Sequence, residues 1–132
     1  MDSFWGSFRR INRITGWALF LFSSVIYLIT IEPTVSFWDC GEFILSAFGL
    51  QVGHPPGAPL FIMIGRIATL FAGGDTSRVA LMMNALSAIS SGFAIMFLFW
   101  TITHLAEKIH GKGSKIEKNQ IPAVIGSGVI GA

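Results

Sequence analysis

Two runs without a single formal charge, residues 14–31 and 79–105, constrain this chain more than anything else in it. The first, ITGWALFLFSSVIYLITI, has 18 residues. As a helix rising about 1.5 Å per residue it reaches about 27 Å, the thickness of a bilayer's hydrocarbon core. Trp17 and Tyr27 lie near its ends, where amphipathic rings favour the membrane interface. The second run has 27 residues and follows Asp75-Thr76-Ser77-Arg78, where Asp75 or Thr76 fits a helix cap. At about 40 Å it tilts or projects beyond the bilayer. Charged residues make up 12% of the chain, about half the usual share of a soluble domain, and they are clustered, as in a membrane protein. A net charge of +2, patchily placed, gives no case for a nucleic-acid partner. Cys40 is the only cysteine, which rules out an intramolecular disulfide. The first run lacks a small-residue cleavage site and reads as an anchor, not a signal peptide.

A third run, residues 58–72, is apolar but only 15 residues long, with Arg66 at its centre. An arginine at mid-bilayer costs about 2.5–3.5 kcal/mol on insertion scales. Parity gives a second argument. Arg9, Arg10 and Arg13 precede the first run, and Lys108, Lys112, Lys115 and Lys118 follow the last. Two spans put both basic clusters on the cytoplasmic side, whereas three would separate them. The sequence therefore predicts an all-α membrane protein. It has a span at 14–31, a non-cytoplasmic loop at 32–77 with two surface helices, a span at 78–105 and a cytoplasmic loop at 106–120. Residues 121–132 start with a proline near the N-terminal end, as a new helix does, and read as the start of a third span in a longer chain.

The loop carries Glu32, Asp39, Glu42 and Asp75 against Arg66, a net charge of −3. Glu32-Pro33 ends the first helix, because the residue before a proline is pushed out of the helical region. Asp39 then opens a helical pattern with Phe43, Ile44, Ala47 and Phe48 on one side. The spacing of Asp39 and Glu42 fits a capping box. It also fits a general base at the membrane surface, or two oxygen donors of a divalent metal, too few on their own. Gly53-His54-Pro55-Pro56-Gly57-Ala58-Pro59 reads as a stiff turn, with Pro59 suited to the first turn of the next helix. His54 there is either a bystander or a substrate ligand. Arg66 and Arg78 either snorkel to lipid phosphates or grip a phosphate by bidentate contact. The small residues of 87–92 read as close helix packing.

Taken in order, these pieces resemble a GT-C membrane glycosyltransferase. The strings TVSFWDCGEF (34–43) and LQVGHPPGAPLF (50–61) are similar to those of the bacterial protein O-mannosyltransferase-like family. The resemblance covers nearly the whole chain, as an N-terminal segment. It implies transfer of a sugar, mannose-like, from a polyprenyl-phosphate donor to a polypeptide Ser or Thr hydroxyl outside the cytoplasm. Asp39 matches the loop aspartate that serves as base, with Glu42 as a second catalytic candidate and His54, Arg66 and Arg78 as candidates for binding the departing phosphate. Cys40 stands where the eukaryotic enzymes have glutamate, which separates the two acids. The implied setting is the bacterial inner membrane, with a cytoplasmic N-terminus and a periplasmic loop. The implied partners are the lipid bilayer, the polyprenyl-linked sugar, an acceptor polypeptide and the remainder of a parent chain. A small non-catalytic membrane subunit and a transporter segment are the rival readings.

Overall fold

The computed structural model describes residues 2–54, 57–110 and 119–132. Its regular elements there are all helical: α1 (Asp2–Ile29), α2 (Cys40–Gly49), α3 (Pro59–Leu70), α4 (Val79–His110) and α5 (Ile121–Gly131), with a 3₁₀ turn at Thr76–Arg78. Two stretches, Phe8–Ile29 and Thr76–Ile109, are long and apolar enough to cross a membrane. The fold is all-α, with two candidate membrane-spanning helices and shorter ones. Arg9, Arg10 and Arg13 lie inside α1, which begins earlier than the uncharged run and stops at Ile29, short of the Glu32-Pro33 pair. The apolar run at 58–72 forms the 12-residue α3, about 18 Å long and too short to span. Pro59 and Pro122 both sit in the first turn of their helices, where the missing N–H costs nothing.

The helices group into two compact units. In the unit of Met1–Ile26 and Ser91–Ala132, α1 and α4 run antiparallel. Trp100 packs on Gly16 and Ser24 on Gly92, so positions rise along one helix as they fall along the other. A β-carbon at either glycine would collide with the side chain opposite, and small residues serve this purpose where helices approach in a membrane. Gly92 thus meets the expectation drawn from 87–92. The antiparallel pairing brings the Arg13 end of α1 to the Lys108 end of α4; Lys112, Lys115 and Lys118 lie outside the described residues. α5 folds back on α4, with Gly128 facing Phe99 and Thr103. Phe8 and Val124 form the buried core of this end, flanked by Ala106, Ile121 and Ile125.

The second unit, Tyr27–Ser90, holds the acidic loop. Helix α2 packs on α3. Gly65 allows it, since a β-carbon there would lie 2.9 Å from the Ala47 β-carbon and 2.8 Å from Met83 Cε. Leu50 closes α2 in the left-handed region (φ 50°), its N–H donating to the Ser46 carbonyl. Gly73 and Gly74, at φ 64° and 86°, reverse the chain after α3, which glycine does without steric cost. Asp75 then caps the 3₁₀ turn, its carboxylate accepting from Ser77 N–H at 3.0 Å. The amide of Asn84 in α4 donates to the Glu32 and Thr34 carbonyls at 2.7 and 3.0 Å, tying down the segment that leads to Asp39.

Candidate active site

Asp39 is the N-cap residue of α2, but its side chain makes no capping bond. Glu42, three residues on, does not reach back to it either. Instead one Glu42 carboxylate oxygen accepts the His54 main-chain N–H at 2.6 Å, and the other meets His54 Nδ1 at 2.7 Å. The capping-box arrangement is therefore absent: the glutamate fastens the Gly53-His54 segment onto the start of α2. Gly53 eases this approach, because a β-carbon at position 53 would lie 3.0 Å from Glu42 Oε1 and push on the carboxylate. The bond from the His54 main chain, then the one from its ring, holds the Glu42 carboxyl below its ordinary value. The same carboxylate raises His54, with a further upward push from the charge of Asp39. Glu42 and His54 thus form a bonded pair at the start of α2, and Asp39 acts on the imidazole through its charge. With Nδ1 engaged, only Nε2 of His54 remains to meet a substrate. Pro55 and Pro56 lie outside the described residues.

The Phe43 ring links this pair to its surroundings, edge-on to Phe61 at 5.7 Å and to His54 at 6.4 Å. Beyond it lies an apolar groove of about 350 Å³, lined among others by Cys40, Phe43, Phe61, Met83 and Asn84.

The two arginines are placed differently. Arg66 donates to the Phe48 carbonyl at 2.6 Å and stacks over the Phe48 ring, so it satisfies the C-terminal end of α2. That is the end opposite to Asp39 and Glu42, about 13 Å from the first and about 9 Å from the second along the helix. Arg78 is paired with Asp75 at 3.2 Å. A divalent metal does not fit the pair either. Both oxygens of Glu42 are occupied by His54, and no group of three His, Cys, Asp or Glu side chains suited to a metal exists among the described residues.

The family described as the protein O-mannosyl-transferase TMEM260 N-terminal domain matches residues 39–132, starting at Asp39 itself. The chain belongs to this family. It is 36% identical over 84 residues to "Protein O-mannosyl-transferase tmem260" of Dictyostelium discoideum, covering 64% of this chain and 10% of that protein. With "Protein O-mannosyl-transferase TMEM260" of Mus musculus it shares 33% identity over 90 residues, 67% of this chain and 12% of the relative. The chain thus spans about a tenth of the length of the curated relatives it matches. No solved structure matches it. Every acid, imidazole and guanidinium considered for the site falls within the segment matched to the TMEM260 N-terminal domain.

Two residues that the sequence reading passed over belong beside them. Trp38 precedes Asp39 at φ 69°, a conformation that bulky side chains avoid, and its indole is 92% exposed. Asn84 both ties down the incoming segment and lines the groove. Its signal was a lone carboxamide inside the uncharged 79–105 run; a single sequence carries no signal for the backbone of Trp38.

Proposed function

We propose that this segment carries the reaction centre of a membrane protein O-mannosyltransferase. It moves a mannose-like sugar from a polyprenyl-phosphate donor to a Ser or Thr hydroxyl of a polypeptide on the non-cytoplasmic side. The observation that carries this reading is the Glu42 grip on His54, which fixes an imidazole at the start of α2, the helix that Asp39 opens. Membership of the TMEM260 N-terminal domain family supports it.

In this mechanism the acceptor hydroxyl oxygen attacks the anomeric carbon while the bond from that carbon to the donor phosphate breaks. Asp39 takes the hydroxyl proton. A carboxylate is a weak base towards a hydroxyl, so the proton moves late, once the attacking oxygen has become acidic. His54, whose pKa Glu42 raises and whose Nδ1 it holds, turns Nε2 to the departing phosphate, and its protonated form is the one that stabilises the charge developing there. The apolar groove beside Phe43 suits the first units of a polyprenyl chain. Arg66 and Arg78 have structural partners, so the phosphate role passes to His54 in this reading. The membrane is the bacterial inner membrane, with residues 32–77 in the periplasm. The basic residues near Arg13 and Lys108 support that orientation by the positive-inside rule.

The test is sugar transfer from a radiolabelled polyprenyl-phosphate mannose by membranes containing the whole protein. Asp39→Asn abolishes transfer while leaving the protein at normal abundance. Undiminished transfer by that variant would sink the proposal.

A further inference from the structure

The other unit contains a cavity of its own, at the Arg13 end of α1. It measures about 450 Å³ and is lined by Arg9, Asn12, Arg13, Trp17 and Trp100. Arg9, Arg13 and Trp17 are spaced by four and so share one face of α1. Trp100 of α4 closes the far wall: its Nε1–H donates to the Asn12 main-chain carbonyl at 3.2 Å, and it sits edge-on to Trp17 at 6.4 Å. Neither Arg9 nor Arg13 is paired with a carboxylate among the described side chains. The Asn12 side-chain oxygen is buried and accepts no hydrogen bond from the described residues. A buried acceptor left without a donor is destabilising, which points to a missing donor.

The position of the cavity says what supplies it. The uncharged run of α1 begins at residue 14, so Arg13 stands at the edge of the hydrocarbon, with Arg9 about 6 Å further out and Trp17 about 6 Å further in. That is the level at which lipid phosphates lie and indoles concentrate. Two guanidinium groups call for an anion, and the free Asn12 oxygen calls for a donor on the same ligand. We propose that this cavity binds the headgroup of an anionic phospholipid. The phosphodiester lies against Arg9 and Arg13, a headgroup hydroxyl donates to Asn12 Oδ1, and the acyl chains pass over Trp17 and Trp100. Arg10 does not line the cavity and takes no part.

The experiment is native mass spectrometry of the whole protein released from nanodiscs of phosphatidylcholine and phosphatidylglycerol. The wild type retains one phosphatidylglycerol. Arg9→Gln/Arg13→Gln retains about tenfold less, whereas Arg10→Gln retains as much as the wild type. Equal loss in Arg10→Gln, or full retention in the double variant, overturns the proposal, since diffuse surface charge would then explain the binding. Release of the lipid by millimolar inorganic phosphate also overturns it, because the site would then recognise phosphate alone. Asn12→Leu, which keeps both arginines, provides an independent readout should the double variant not fold. The wild type prefers phosphatidylglycerol several-fold over phosphatidylmethanol, which has the same charge and no hydroxyl. Asn12→Leu binds the two alike. A preference that survives in Asn12→Leu removes the hydroxyl contact and with it the assignment.

Discussion

Glu42 holds His54 with both of its carboxylate oxygens, one on the main-chain N–H and the other on ring Nδ1, across twelve residues of sequence. The bond to the main chain fixes where the segment runs, and the bond to the ring fixes which way the imidazole faces. An interaction at either atom alone would leave the other free to turn.

The pair has a pH signature. His54 is raised above its ordinary 6.5, so its contribution is complete below that value and disappears as pH climbs through the raised folded value. Glu42 is lowered from 4.5, so its contribution is complete above that value and is lost as pH falls through the lowered one. The stabilisation is therefore greatest between the two and declines on either side. The melting temperature of wild type minus that of Glu42→Gln, followed from acid to mildly alkaline pH, checks this. A flat difference contradicts it. By NMR, His54 in Glu42→Gln titrates at a lower pH than in the wild type.

Gly53→Ala pushes a methyl to within 3.0 Å of Glu42 Oε1. The expected result is a loosened pair: His54 titrates closer to its ordinary value and sugar transfer drops by about tenfold or more, consistent with a misplaced acid–base group. Thermal stability falls no further than in Glu42→Gln, because only this one pair is disturbed. Wild-type transfer in Gly53→Ala would show that the grip of Glu42 is dispensable.

Arg66→Gln removes the bond to the Phe48 carbonyl and the stacking on the Phe48 ring. The loss expected is on the order of 1 kcal/mol in stability, with transfer per folded molecule close to wild type. Thermal melting and single-turnover transfer separate the two effects. A large fall in transfer with unchanged melting would return Arg66 to the donor phosphate.

Trp38→Gly relieves a left-handed backbone of the kind that costs roughly 1–3 kcal/mol in a bulky residue. The variant is expected to melt higher than the wild type and to transfer more slowly, since the strained and exposed indole stands next to Asp39. A variant that is faster as well as more stable would argue that Trp38 serves only the fold.

Much of the architecture was readable from the chain because its causes are local. An uncharged run of 27 residues has few ways to satisfy its backbone in lipid except as a helix, and Arg66 in a 15-residue run kept α3 from being read as a span. Pro59 and Pro122 marked helix starts by their fixed φ. The two motif strings placed Asp39, Glu42 and His54 in one loop. What spacing could not decide was which partner each side chain takes. Asp39 and Glu42 three residues apart are equally consistent with a capping box and with two independent groups, and only the fold brings Gly53-His54 onto Glu42. The arginines follow the same rule: a guanidinium's reach leaves its partner open until a neighbouring helix end or carboxylate is in place. The Phe48 carbonyl claims Arg66, and Asp75 claims Arg78. Hydrophobic length acts along the chain and is written in it, whereas hydrogen-bond partners are chosen by proximity in space, which the tertiary structure alone supplies.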